Sequence, residues 1–107
     1  MDPLKLENQL CFPLYAASRE IVKKYTPFLK SINLTYTQYI TMMVLWEKRQ
    51  IAVKQLGGML FLDSGTLTPL LKRLESLGLI TRRRDSEDER SVTVSITEEG
   101  MALRKKP

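Results

Sequence analysis

DSGTLTPLLKRLESLG, residues 63–78, opens on an aspartate–serine pair, closes on glycine and carries a leucine every three or four positions between. Asp63-Ser64 reads as a helix cap, and Gly78 as the residue that ends the helix in a left-handed conformation. At 100° per residue, Leu67, Leu70, Leu71, Leu74 and Leu77 share one arc, which is the face to be buried. The opposite arc holds Gly65, Thr68, Pro69, Lys72, Arg73 and Ser76, with Ser64 and Thr66 in the first turn. Small groups lead and cations follow. A helix entering a major groove N-terminus first needs this order. Small residues permit close approach, threonine bonds base edges or meets a thymine methyl, and Lys72 and Arg73 neutralise phosphate or bond guanine. The positive end of the helix at Ser64 suits a phosphate. Taken alone, the same arc is equally the solvated face of a core helix.

The flanking segments decide between the two. Upstream, Ile51–Val53 forms a brief strand and Val53–Leu60 a short helix, separated from the leucine helix by a tight turn. Downstream, Leu79–Arg84 and Ser91–Ile96 are β-rich, and the second alternates Val92, Val94 and Ile96 with Ser91, Thr93 and Ser95. Between them runs DSEDER, residues 85–90, a charged loop. Two helices followed by a hairpin make a winged helix-turn-helix, in a chain that is mainly α with a small β wing. At the wing tip Arg90 stands among acids, placed to enter a minor groove, with Asp88 holding it. Residues 82–84, with Arg82 and Arg84, read either as an ordinary exposed strand or as the source of at least one phosphate contact, and the second is the expectation.

Toward the N-terminus, residues 4–24 place Leu10, Leu14, Ala17 and Ile21 at helical spacing, with Pro13 predicting a kink or a nearby helix start. Thr26-Pro27 reads as a cap followed by proline at the first helical position, which would restart or bend the helix toward Ile32. Thr35 and Gln38 form a capping box for a helix through Tyr39, Ile40, Met43, Val44 and Trp46. Met42, Met43 and Trp46 read as core rather than as a ligand box. Thr97-Glu98-Glu99 starts a further helix. Three regions result: an N-terminal helical region over 1–34, a winged helix-turn-helix over 35–97, and the start of a C-terminal helix over 98–107.

Composition excludes more than it selects. The 107 residues include 17 Lys and Arg against 12 Asp and Glu. That mild excess permits a nucleic-acid partner without requiring one, so the architecture carries that inference. There is no histidine and one cysteine, which removes Cys/His metal sites, Ser–His–Asp hydrolysis and an internal disulfide. No enzyme, cofactor or metal site is expected. No apolar run approaches a membrane span and no signal peptide is recognisable, so a cytoplasmic location is expected.

The stretches LENQLCFPLYAASRE (6–20), NLTYTQYI (33–40), FLDSGTLTPLLKRLESLGLITRRRDSEDERSV (61–92) and SITEEG (95–100) closely resemble the MarR family of bacterial winged-helix repressors. Within it they look most like the organic-hydroperoxide-sensing, one-cysteine branch. The resemblance implies a homodimeric transcription regulator that binds a pseudo-palindromic duplex operator and releases it on oxidation. It implies a sensor cysteine in the LCF motif, here Cys11, and two tyrosines that bond its thiolate, here Tyr25 and Tyr36. It also implies two further C-terminal helices that build most of the dimer interface. The sequence given ends at Pro107, within the first of them, so a fold lacking most of those helices and a weakened homodimer are expected.

For Cys11 the residue types leave two roles open: a small core residue, or a reactive thiol. The resemblance implies the second. With no histidine to activate it, the thiolate needs hydroxyl donors, a helix N-terminus or a cation, and Arg19 lies two turns away. An organic hydroperoxide would yield a sulfenic acid, and with no second cysteine that acid must condense with a small thiol or another protein. In one straight helix Cys11 and Tyr25 stand about 21 Å apart, at about 1.5 Å per residue. Either the chain folds back near Thr26 or Tyr25 comes from the other subunit, and the second is the expectation. Two alternatives stand beside this reading: a regulator of the same type answering a small-molecule ligand with Cys11 inert, and a winged-helix module for a protein partner.

Overall fold

The structure, a computed structural model, describes residues 11–85, 87 and 91–104. Its elements run α1 (Cys11–Ser31), α2 (Tyr36–Lys48), β1 (Gln50–Ala52), α3 (Val53–Leu60), α4 (Ser64–Ser76), β2 (Ile80–Arg84), β3 (Val92–Ile96) and α5 (Glu98–Leu103). The mainly helical winged helix-turn-helix expected from the sequence is what forms. The chain divides into two compact units, with the boundary between Tyr36 and Thr37.

In the first unit α1 runs without interruption through Pro27. The expected restart at Thr26-Pro27 does not occur. Thr26 is no cap: its hydroxyl donates back to the Val22 carbonyl at 3.4 Å, a bond made only inside a helix. Pro13 lies in the first described turn of α1. The helix ends where Asn33 adopts φ 58°. There the Asn33 N–H donates to the Lys30 carbonyl at 3.2 Å and the Leu34 N–H to Leu29 at 3.0 Å, satisfying carbonyls the helix leaves open. Much of α1 is apolar and exposed: Leu14 is 64% accessible and Ile21 55%, with Phe12, Tyr15 and Tyr25 also exposed.

The second unit is built around a three-stranded antiparallel sheet in the order β1-β3-β2. Ile51 faces Val94 across β1 and β3, and Arg82 faces Val94 across β2 and β3. Val94 on the central strand is fully buried, as are Met42, Leu45, Leu56 and Leu74 from the helices. Thr41, the buried polar residue of this core among the described residues, satisfies its hydroxyl on the Thr37 carbonyl at 2.8 Å. Trp46 reads correctly as packing: its ring meets Tyr39 edge-on, and its indole N–H donates to the Gly100 carbonyl at 2.8 Å. Met43, by contrast, is exposed. Thr97 caps α5 by accepting from the Gly100 N–H at 3.0 Å and donates its own hydroxyl proton to the Gly78 carbonyl at 2.6 Å. The short helix is thus tied to the turn before the wing.

Candidate functional site

The helix-turn-helix starts from α3, which ends at Phe61 in the left-handed region (φ 56°), with the Phe61 and Leu62 N–H groups both donated to the Gly57 carbonyl. A Cβ on Gly57 would approach the Leu62 carbonyl to 3.0 Å, so a side chain there would crowd the turn. The turn delivers Asp63 in extended conformation at the head of α4, where its Oδ1 accepts from the Thr66 N–H at 2.8 Å. That backbone bond, and next the Thr66 hydroxyl, hold the Asp63 carboxyl below its ordinary value. The cap is therefore Asp63, and Ser64 is the first helical residue. Asp63, one of the pair read as the cap, thus places an anion of the protein's own at this positive helix end.

At the other end the helix closes as the sequence predicts. The Gly78 N–H donates to Glu75 at 2.9 Å and the Leu79 N–H to Leu74 at 3.1 Å, with Gly78 at φ 78°. Between these ends Leu67, Leu70, Leu71 and Leu74 are buried, while Leu77 is only half-buried. Ser64, Gly65, Thr66, Thr68, Pro69, Lys72, Arg73 and Ser76 are all exposed on α4. Two of the hydroxyls are partly engaged: Ser76 donates to the Arg73 carbonyl at 2.7 Å, and Thr66 faces Asp63. Pro69 has no N–H, so the carbonyl of the exposed Gly65 lacks its usual helical donor. The surface that results is small at its start and cationic in its middle, on a helix fixed at both ends.

The wing departs from expectation at one residue. Arg82 is not an exposed cation. Its Nη2 donates to Glu75 Oε1 at 3.0 Å, its Nε to the same oxygen at 3.3 Å, and its backbone N–H to Oε2 at 3.2 Å. Those bonds, foremost the side-chain one from Arg82, hold the Glu75 carboxyl below its ordinary value. Arg84 is exposed, as is its neighbour Arg83. Arg90 and Asp88 lie outside the described residues. Sequence reading missed Glu75, although it left a signal: an acid in the last turn of a helix opposes the helix dipole and calls for a cation from elsewhere.

In the first unit the two tyrosines implied as sensor partners come together. The rings of Tyr25 and Tyr36 meet edge-to-face with centroids 6.0 Å apart. Cys11 is exposed at the far end of the same helix, and because α1 is one helix the rise places it about 21 Å along the axis from Tyr25. The alternative in which the chain folds back near Thr26 is gone. Arg19 lies over the Tyr15 ring, 5.7 Å from its centroid, and so is occupied locally. Among the described residues no group of carboxylates and cysteine has a metal-binding arrangement, and no helix is long and apolar enough to cross a membrane.

Comparison with known proteins agrees with this architecture. Residues 23–106 match the family model of the transcriptional regulator SarA/Rot. The organic hydroperoxide resistance transcriptional regulator of Bacillus subtilis strain 168 is 58% identical over 105 residues, which cover 98% of this chain and 71% of that protein. The crystal structure of overoxidized AbfR bound to DNA superposes with a TM-score of 0.86 at 39% identity, over 94% of this chain and 74% of that one; AbfR is a protein of Staphylococcus epidermidis. MarR itself superposes with a TM-score of 0.78 at 26% identity, over 90% of this chain and 70% of that one.

Proposed function

The chain belongs to the SarA/Rot family of MarR-type winged-helix transcriptional regulators, and we propose that it is a repressor released from its operator when an organic hydroperoxide oxidises Cys11. It is a DNA-binding regulator and not an enzyme. The observation that supports α4 as the reading element is its division into four buried leucines and an opposed exposed face of small and cationic residues. On this reading Gly65, Thr68 and Pro69 approach base edges, Lys72 and Arg73 take phosphate or guanine, and Ser64, Thr66 and Ser76 add hydroxyls at the groove walls. Arg84 and Arg90 would extend the contact along the wing, Asp88 positioning Arg90.

The redox half rests on an exposed Cys11, in a chain 58% identical to a regulator named for organic hydroperoxide resistance. The Cys11 thiolate attacks the terminal peroxide oxygen, the O–O bond breaks, and the products are Cys11 sulfenic acid and an alkoxide that takes up a proton as the alcohol. A small cellular thiol then displaces the sulfenic oxygen as water and leaves a mixed disulfide. The tyrosine pair 25/36 serves the thiolate of a second protomer. The length of α1 keeps it from its own Cys11, and the exposed Leu14, Ile21 and Tyr25 give that helix an apolar face for a homodimer. The operator sets the location, which is the cytoplasm.

The test is operator binding before and after treatment with cumene hydroperoxide and a small thiol, on a duplex selected by this protein from a random-sequence pool. The expected result is a mass gain at Cys11 together with loss of binding, and a Cys11→Ser variant that binds and ignores peroxide. Unchanged binding after Cys11 is modified refutes the proposal, as does a Cys11→Ser variant that still responds.

A further inference from the structure

The Glu75–Arg82 pair joins the last turn of α4 to the second strand of the sheet, and we infer that Glu75 is a positioning residue for DNA reading, withdrawing Arg82 from the nucleic acid and using it to fix the wing against the recognition helix. This inference rests on α4 being the reading helix, as proposed above.

Three features of the geometry carry it. First, one carboxylate grips both the guanidinium and the backbone of the same residue, through the bonds of 3.0, 3.3 and 3.2 Å. A surface pair seeking only charge neutralisation has no use for the peptide N–H. Second, β2 is an outer strand of the sheet, and its Arg82 N–H is donated outward to Glu75 rather than to β3. The helix thereby occupies a donor on an otherwise open edge. Third, the pair is partly shielded, with side-chain accessibilities of 25% for Arg82 and 39% for Glu75, unlike the Glu20–Lys23 pair on α1 at 70% and 66%.

The consequence for DNA follows from leverage. Besides this pair, helix and wing are joined by the turn at Leu77–Leu79 and by the core in which Ile80 and Val94 are buried together with the leucines of α4. From Ile80 to Arg84 the strand extends about 13 Å at about 3.3 Å per residue. A rotation of about 10° at the turn would therefore move the strand end by about 2 Å, enough to break hydrogen bonds to phosphate, which require about 3 Å. Contacts to the backbone set the register in which base edges are read. A clamp at Arg82 holds the two reading elements at one spacing. It also cancels the Arg82 charge, so this residue releases no counterion when DNA binds.

The last point separates this role from simple folding support. Glu75→Gln keeps an acceptor for the Arg82 N–H and removes the charge that holds the guanidinium. Binding should be measured against salt on the selected duplex and on a random duplex of equal length. For Glu75→Gln the expected results are a log–log salt slope on random duplex steeper by about one unit and a selected-to-random ratio reduced about tenfold, the size of one lost base-pair contact. Arg82→Gln should lower the same ratio and leave the random-duplex slope at the wild-type value. An Arg82→Gln slope shallower by about one unit would overturn the inference, because Arg82 would then be a phosphate contact. An unchanged ratio in Glu75→Gln would overturn it as well. Lys72→Ala and Arg73→Ala report separately on the underlying reading: each should make the slope shallower by about one unit. If neither does, α4 is not the reading helix, whatever Glu75 does. Circular dichroism of each variant at the assay temperature confirms that the comparison is made on folded protein.

Discussion

Replacing Gly100 by alanine tests the packing that joins α5 to the winged-helix core. A Cβ at this position would run into the Leu79 carbonyl oxygen, and would lie 2.7 Å from Ile96 Cγ1 and 3.2 Å from Met42 Cε. The methionine tip can move away. The Leu79 carbonyl cannot do so cheaply, because it accepts from the Thr97 N–H at 3.1 Å. The helix must therefore shift outward by about 1 Å to restore van der Waals distance. Gly100 itself is held, its N–H on the Thr97 hydroxyl and its carbonyl on the Trp46 indole at 2.8 Å. Overpacking of this kind costs about 1–3 kcal/mol, and a weakened Trp46 bond adds about 1 kcal/mol. The better helix propensity of alanine returns about 1 kcal/mol. The net is a loss of about 2 kcal/mol, or roughly 8–16 °C in melting temperature for a domain of this size. Gly58 supplies the contrast. It is exposed in α3, and a methyl group added there would meet nothing within 4 Å, so Gly58→Ala should gain about 0.5–1 kcal/mol. Urea unfolding followed by the fluorescence of Trp46, the single tryptophan, measures both. Equal midpoints for the two variants would refute the reasoning, since they would mean that α5 does not press on Leu79 and Ile96.

Two further outcomes follow from the ends of the reading helix. Gly78→Ala should cost about 1 kcal/mol in the same urea experiment, because φ 78° forces a side chain into the left-handed region. A change below a few tenths would mean the helix does not end in that conformation. The carboxyls of Asp63 and Glu75 are both held below their ordinary values of 3.8 and 4.5. Their stabilisation is complete above those values and is lost as pH falls through the lower folded-state ones, so stability should drop on acidification from about pH 5 toward pH 2. A variant carrying Asp63→Asn and Glu75→Gln should show a flatter profile across that window, and an unchanged slope would show that other carboxyls govern the acid transition.

What could be read from the chain alone is what local chemistry decides. The span of α4, its aspartate at the head and the left-handed glycine at its end depend on residues within one turn of each other, and so does the leucine face. The restart read at Thr26-Pro27 failed for the same reason. The pair looks like a cap and first helical residue, but helix on both sides absorbs the missing N–H, and the Thr26 hydroxyl turns back to Val22 instead of forward. Arg82 failed differently. Strand alternation places it at the surface of a hairpin, and nothing in that alternation shows that an acid seven residues earlier will lie beside it. Tyr25 and Tyr36 lie 11 positions apart in the sequence, and the turn at Asn33 brings their rings together.

Glu75 shows how such non-local pairs announce themselves. Asp63 at the start of α4 obeys the helix dipole, whereas Glu75 in its last turn opposes it. The nearest cation in helical reach is Lys72 at i−3, on the exposed arc, while Glu75 turns toward the half-buried side. An acid so placed raises the energy of an isolated helix, and it persists only where the folded chain supplies a compensating donor. Here the donor is double, a guanidinium and a strand N–H, and both come from the element whose angle to the helix decides what the wing can reach. A violation of a local rule at the end of a recognition helix is thus a pointer to the tertiary contact that orients it.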